Sequence, residues 1–213
     1  MRWMVDDDQA WRPGRATRRS VLAGLSGLAA LAGQAARAHE PEPFVLPPEF
    51  LPTLVRVAPD LAADTIHILP DDFRLYWTLG DGEAIRFAVG VGRPGLYHDG
   101  VFTVGDKREW PSWRPTPAMI ERDPGAYAKW ADGMPGGPDN PLGARALYLF
   151  DDEGRDTLLR IHGTNDPRTI GTAVSNGCAR LTNEHIIQLY ELVPLGATAI
   201  LHPQASADAH ATG

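Results

Sequence analysis

Glycine and proline interrupt this chain so often that short structural elements are favoured along most of its length. The sequence contains 22 Gly and 19 Pro in 213 residues, and both counts are above the average usage of these residues. Proline breaks helices by removing a backbone donor, and glycine is the commonest residue of tight turns. We therefore expect a mostly β fold with many turns and loops, and not a helical bundle.

The first 38 residues have the features of an export signal. Thr17–Leu22 (TRRSVL) is similar to the twin-arginine signal, and the apolar run Val21–Ala32 that follows it is too short to span a bilayer. Ala36–Ala38 (ARA) matches a small-residue cleavage site, so the mature chain is predicted to start near His39. The protein is then exported to the periplasm or cell-wall space. The alternative is an amphipathic or buried N-terminal helix.

Charge argues against nucleic acid as a partner. The predicted signal contains six Arg and three Asp, so its removal changes the net charge of the chain from −7 to −10. A protein this acidic lacks the general attraction to phosphates on which nucleic-acid binding depends. No other segment is apolar and long enough to predict a stable membrane span.

The rest of the chain is predicted to form one domain. Residues 39–53 contain five prolines and no clear periodicity, which predicts an extended linker. Residues 54–203 are expected to be the folded domain, and 204–213 a flexible tail of small and polar residues. The sequence has no internal repeats.

Within that domain the pattern predicts strands, two short helices and one long loop. One predicted local feature is a hairpin, in which Arg74–Leu79 and Ala84–Val91 flank a Gly-Asp-Gly turn. Further strands are predicted at Thr65–Leu69, Val101–Val104, Lys107–Trp110, Arg145–Phe150, Thr157–Ile161 and Ala197–His202.

The predicted helices and loop lie around the centre and end of the domain. A helix is expected at Asn183–Val193, capped by Thr182 or Asn183, and a helical turn at Pro117–Arg122. The irregular segment 111–144 is long enough to predict an ordered functional loop. The tryptophans at 110, 113 and 130 are interpreted as core residues, with the wall of a substrate cleft as the alternative.

Cys178 is the single cysteine, so it cannot form an intramolecular disulfide. The thiol then either packs as a structural group, forms an intermolecular disulfide or takes part in a chemical reaction. His162 precedes it by 16 positions and titrates in the range of a general base. Gly177 allows close approach of backbone, and Arg180 is a fixed positive charge that can lower the pKa of the thiol or bind a carboxylate.

These residues resemble the signature of the L,D-transpeptidase catalytic domain (YkuD) family. That signature is a His-Gly pair followed about fifteen residues later by Ser-His-Gly-Cys, often with an Arg two positions beyond. His162 and Gly163 match its first part, and the segment 175–180 (SNGCAR) matches its second. The departure is Asn176, where the family most often has His. The resemblance extends over roughly residues 54–202.

The resemblance implies a single β-sandwich-like domain with one or two short helices and a long loop over the active site. It implies Cys178 as nucleophile, His162 as general base and acid, Gly177 as backbone of the oxyanion hole and Ser175 as a supporting residue. Residues implied to bind substrate are Arg180, Asn176 and Gly163. Asp166 is interpreted as a loop residue, and not as the group that orients His162.

The implied reaction joins peptidoglycan stem peptides through a cysteine thioester, which gives 3→3 cross-links or attaches another amine. The alternatives are an L,D-carboxypeptidase that only hydrolyses stems, and an inactive peptidoglycan-binding module. The expected partners are tetrapeptide stems as donor and acceptor. No cofactor or metal is expected, and the expected oligomeric state is a monomer.

Overall fold

The computed structural model describes residues 44–205. The predicted export signal, the first part of the predicted linker and residues 206–213 of the predicted tail lie outside the described residues. The strands, in chain order, are β1 (Thr53–Arg56), β2 (Thr65–Leu69), β3 (Arg74–Gly80), β4 (Glu83–Ala88), β5 (Val91–Gly92), β6 (Gly100–Glu109), β7 (Arg145–Phe150), β8 (Asp156–His162), β9 (Ala173–Ser175), β10 (Ala179–Arg180) and β11 (Thr198–Leu201). The α-helices are α1 (Pro117–Arg122), α2 (Pro124–Tyr127) and α3 (Asn183–Leu192), with short 3-10 turns at Pro48–Phe50, Ala128–Trp130 and Pro167–Thr169.

Nine strands form one sheet in the order β1-β4-β3-β2-β11-β6-β7-β8-β10, and β5 and β9 form a two-stranded parallel sheet. The two ends of the large sheet approach each other. Gly90, just after β4, and Arg180, in the edge strand β10, exchange two backbone hydrogen bonds of 2.9 and 2.8 Å. The sheet therefore curves back on itself, and its two halves enclose a common interior.

A single buried cluster fills that interior. It includes Trp77 and Phe87 from one half of the sheet and Leu147 and Ile161 from the other, together with Ile186 of α3. Thr182 caps α3, since its hydroxyl accepts a hydrogen bond from the backbone N–H of His185. The helix presents its apolar face to the sheet. The prediction of a mostly β domain is confirmed, and the structure has three short α-helices where one or two were expected.

Two local predictions are wrong, and the reasons are physical. Where two short strands were predicted, β6 is one ten-residue strand with a bulge between Val104 and Asp106. Gly105 interrupts the pattern of β-forming residues, but the ring of Phe150 packs where a side chain at 105 would lie. None of the three tryptophans belongs to the buried core of the described residues; Trp110 is 44% exposed, and Trp113 lines a cavity.

The segment between β6 and β7 carries α1 and α2 and forms an ordered loop over one edge of the sheet. Proline starts each helix, and the side chains of Thr116 and Asp123 cap them. Among residues 44–205, no helix combines the length and the apolar character that crossing a bilayer requires.

Candidate active site

The pairing of β8 with β10 brings the predicted catalytic residues onto one face of the sheet. The two strands run parallel, with Ala179 opposite Ile161 and Arg180 opposite His162. Because side chains alternate along a strand, Ala179 and Ile161 point into the core, where both are buried. His162, Cys178 and Arg180 point the other way, and all three line the same cavity. Residues 16 positions apart thus become diagonal neighbours.

His162 is buried and oriented by backbone. Its Nδ1 lies 2.6 Å from the carbonyl oxygen of Gly163, so Nδ1 carries the hydrogen and the lone pair is on Nε2. Burial, and next the positive charge of Arg180, lower the pKa of His162 to about 3, although the carbonyls of Gly163 and Leu142 act in the opposite direction. The imidazole is therefore neutral at ordinary pH.

Cys178 is partly exposed, and its thiol donates a long hydrogen bond to the carbonyl oxygen of Leu158, 3.8 Å away. Desolvation of the sulfur raises its pKa, and the backbone of Arg160 and the charges of Arg160 and Arg180 oppose that rise. Since His162 is also neutral, the resting site holds a thiol and an imidazole, and not a preformed thiolate–imidazolium pair.

Ser175 and Gly177 shape the turn that carries the thiol. The hydroxyl of Ser175 donates to the carbonyl oxygen of Cys178 at 2.6 Å and accepts from the N–H of Gly177 at 3.2 Å. Gly177 has a φ of 123°, and a Cβ there would lie 2.9 Å from the carbonyl oxygen of Leu96, so only glycine fits this position. The N–H of Cys178 donates to none of the residues that the structure describes.

Asn176 connects this turn to the loop above it. Its Oδ1 accepts hydrogen bonds from Arg93 and from Arg122 of α1, each at 2.8 Å. Its Nδ2 donates to the hydroxyl of Tyr127 in α2 at 2.9 Å. A single amide therefore supplies one acceptor to two cations and a donor to a phenol, and it attaches α1 and α2 to the turn that carries Cys178.

Arg180 lies near both the thiol and the imidazole and has no acidic partner among the described residues. Its Nε is buried and makes no hydrogen bond, and none of the ion pairs among residues 44–205 includes it. Burial lowers its pKa, and Asp166 acts on it only from a distance. Asp166 itself is paired with Arg168, 2.9 Å away, which agrees with its interpretation as a loop residue.

These groups line a cavity of about 580 Å³ whose outer wall is the loop between β6 and β7. Trp113, Met119 and Tyr127 contribute apolar and aromatic surface to it, as do Leu158 and Leu159 of β8. The side chain of Trp113 therefore lies in the wall of a cleft, which was the alternative interpretation from the sequence.

The structure brings five of the seven predicted site residues to the cavity: Ser175, Asn176, Cys178, Arg180 and His162. Gly163 and Gly177 are buried behind it. A Cβ at Gly163 would lie 2.3 Å from Oδ1 of Asn183, so this glycine permits close packing of α3.

Several lining residues were not predicted from the sequence, namely His98, Arg114, Arg122, Tyr148 and Arg160. The position of Arg160, two residues before His162 in a strand, was the one available signal for any of them.

Fold and geometry together define a mostly β domain with a thiol–imidazole site at one edge of its sheet. A family model for the L,D-transpeptidase catalytic domain (YkuD) matches residues 63–201, and the chain belongs to this family.

Curated relatives in the family come from several bacteria. The chain is 37% identical over 147 residues to the probable L,D-transpeptidase ErfK/SrfK of Escherichia coli K12, a match that covers 66% of this chain and 44% of that protein. It is 39% identical over 122 residues to a putative L,D-transpeptidase from the ATP synthase subunits region of Fuscovulum blasticum, covering 57% of this chain and 59% of that one. The matched part thus spans less than two thirds of either relative.

Solved structures include similar folds. A Brucella melitensis protein described as a probable carnitine operon oxidoreductase, caia, is 43% identical with a TM-score of 0.51, covering 76% of this chain and 96% of that one. The carbamoyl enzyme of Ldtfm with avibactam has a TM-score of 0.50 at 16% identity, covering 68% and 51% of the two chains, which supports the fold alone.

Proposed function

We propose that the protein is an L,D-transpeptidase that acts on peptidoglycan stem peptides through a thioester on Cys178. The observation that carries the proposal is the parallel register of β8 and β10, which places Arg180 opposite His162. Cys178 precedes Arg180 by two residues and lines the same cavity. Family membership supports the substrate class, and the cavity is large enough for a peptide.

In the first half-reaction, Nε2 of His162 takes the proton of the Cys178 thiol as the sulfur attacks the carbonyl between the third stem residue and the terminal D-alanine. The S–C bond forms, the C–N bond breaks, and the leaving amine of D-alanine takes the proton from Nε2. A thioester remains on Cys178, and His162 is again neutral. In the second half-reaction, an acceptor amine attacks the thioester and gives its proton to Nε2, which returns it to the departing sulfur.

We assign the oxyanion site to the N–H of Cys178, because this donor has no partner among the described residues. The N–H of Gly177, the donor expected from the sequence, is already bonded to Ser175. Gly177 and Ser175 then act by shaping the turn. Arg180 is assigned to a carboxylate of the donor stem, since a half-buried guanidinium without an acidic partner among the described residues gains most from an anionic ligand.

Incubation of the full-length protein with purified disaccharide-tetrapeptide, followed by mass spectrometry, tests the proposal. Cross-linked dimers with loss of D-alanine are the expected products, and Cys178→Ala is expected to yield none. Tripeptide alone would identify an L,D-carboxypeptidase. Absence of turnover, together with no covalent adduct on Cys178 after exposure to a carbapenem, would identify an inactive binding module.

We propose also that residues 1–38 direct export and are then removed. The support is the order of the paired arginines, the apolar run and the small-residue site along the sequence. N-terminal sequencing of the protein from the cell envelope should find His39 near the new terminus. Replacement of both Arg18 and Arg19 by Lys should retain the uncleaved chain in the cytoplasm; continued processing would contradict this route.

A further inference from the structure

The cavity around Cys178 has a charge opposite to that of the protein that contains it. The chain carries 27 Asp and Glu against 20 Lys and Arg, yet no Asp or Glu is among the described residues that line the cavity. Its charged and titratable lining residues other than the thiol and the tyrosines are four arginines and two histidines: Arg114, Arg122, Arg160, Arg180, His98 and His162. In an acidic protein, such a cavity selects anionic ligands.

One of the four arginines is neutralised by the protein. Both terminal nitrogens of Arg160 bind the carboxylate of Asp156, at 2.6 and 2.7 Å, and its guanidinium stacks 3.8 Å from the centre of the Tyr148 ring. Arg160 is therefore a structural element of the cavity wall, and its charge is not available to a ligand.

The other three arginines keep their charge. Arg180 has no ion-pair partner within residues 44–205, and its Nε makes no hydrogen bond there. Within the part of the chain that the structure describes, Arg122 donates only to the neutral amide of Asn176, and Arg114 only to the backbone carbonyl of Asp132 at 3.1 Å. Neither Arg114 nor Arg122 takes part in an ion pair among residues 44–205.

The positions of these three cations separate them into two groups. Arg180 follows the thiol by two residues, whereas Arg114 and Arg122 belong to the loop between β6 and β7 that forms the outer wall. Asn176 holds Arg122 at that wall while the remaining N–H groups of the guanidinium stay available. A ligand with one carboxylate satisfies only one of these groups.

We propose that Arg114 and Arg122 form a second anion subsite, which selects stem peptides with a free carboxylate in addition to the one that Arg180 binds. This inference rests on the proposed function and specifies its substrate class. Stems with free carboxylates are accepted, and stems in which the carboxylates are converted to carboxamides are disfavoured, because a carboxamide carries no charge and offers one acceptor oxygen where a carboxylate offers two.

Two synthetic tetrapeptide donors, one with all side-chain and branch carboxylates free and one with these groups amidated, test the proposal. We expect kcat/KM of the unaltered protein to be at least about ten-fold higher for the free donor, since a hydrogen bond to a charged group is worth that factor or more. Arg122→Gln and Arg114→Gln should each reduce kcat/KM for the free donor. They should reduce the rate with the amidated donor by a smaller factor, so that the discrimination shrinks.

The amidated donor also controls for damage to the loop, because a loosened loop would slow both donors equally. Arg122→Lys, which keeps the charge, should restore part of the preference. Arg56→Gln is the matched control, since Arg56 is an exposed arginine outside the cavity that pairs with Glu83; its preference should equal that of the unaltered protein.

The outcomes separate the two proposals. Equal turnover of both donors, or an unchanged preference in both glutamine variants, overturns the anion subsite and leaves the transpeptidase assignment standing. Absence of turnover with either donor overturns the transpeptidase assignment itself, and the subsite with it.

Discussion

Arg180 lies directly opposite His162 in the pairing of β10 with β8, so the imidazole of the proposed base faces a cation where many cysteine enzymes place a carboxylate or amide. Burial is the largest cause of the low pKa of His162, and the positive charge of Arg180 is the second. The orienting group is the carbonyl of Gly163, which fixes the tautomer without adding negative charge. The thiol and the imidazole therefore both rest in their neutral forms, and the proton moves only when a substrate is attacked.

A neutral resting thiol predicts a particular pH dependence for alkylation of Cys178. Because desolvation raises the pKa of this thiol, the rate with iodoacetamide should rise about ten-fold per pH unit through neutral pH and still be rising at pH 9. The measurement is the pseudo-first-order rate from intact-mass spectra between pH 6 and 10. A rate that is already constant below pH 7 would indicate a thiolate–imidazolium pair and contradict this description.

Replacing His162 by Gln tests its role as base. The amide can keep a hydrogen bond to the Gly163 carbonyl but cannot take the thiol proton, so kcat for cross-linking should fall by about 10²–10⁴, with a much smaller change in KM. Circular dichroism and thermal unfolding serve as controls for the fold. A variant that folds normally and retains more than a tenth of kcat would assign the proton transfer to another group.

The fold could be predicted to the extent that each element carries its own local pattern. Thr65–Leu69 and Arg145–Phe150 were predicted at the exact bounds of β2 and β7, because apolar and aromatic runs between turn residues are strong strand signals. The two-residue strands β5 and β10 have no such pattern, since they exist only through pairing with distant segments. Long-range pairing of this kind is not encoded within a short window of sequence.

The site residues also divide into those that a local sequence pattern predicts and those that only the folded chain brings together. Cys178 and His162 were identified because their spacing and flanking glycines form a motif, but the loop residues that reach them were not. Arg122 and Tyr127 meet Asn176 across 54 and 49 positions of sequence, so only the folded chain reveals the contact. Asn176 itself was assigned to substrate, whereas its polar atoms are bonded to Arg93, Arg122 and Tyr127.

Asn176→Ala should release the loop between β6 and β7. It removes three hydrogen bonds, two of them from cations, so we expect a loss of about 1–3 kcal/mol in the free energy of unfolding. We also expect faster amide exchange over residues 117–130. In the transpeptidase assay KM should rise more than kcat falls, because the loop forms the cavity wall and carries no reacting group.

Tyr127→Phe is the graded control for that variant, since it removes only the bond from Nδ2 of Asn176. Its effect on exchange should be in the same direction and smaller. Exchange in 117–130 that is indifferent to both substitutions would mean that packing of Trp113 against Tyr127, and not the amide, holds the loop.

Buried neutral histidines predict that the protein loses stability in mild acid. Burial, and next the charge of His202, lower the pKa of His67 to about 4, and the pKa of His162 is about 3. Between these values and the ordinary 6.5, the unfolded chain binds protons that the folded chain does not, so the free energy of unfolding falls as pH falls. Each of the two histidines contributes a slope of at most about 1.4 kcal/mol per pH unit.

Urea denaturation at pH 7.5, 6.0 and 5.0 measures this slope above the range in which the carboxylates titrate. His67→Gln, which lies outside the cavity, should flatten it by up to the contribution of one histidine, while Arg56→Gln should not change it. Because the ordinary pKa of a histidine is 6.5, the free energy of unfolding of His67→Gln and that of the unaltered protein should have nearly the same slope between pH 7.5 and 7. The two slopes should diverge progressively below pH 6.5. Parallel stability curves down to pH 5 would mean that His67 takes up its proton in the folded state.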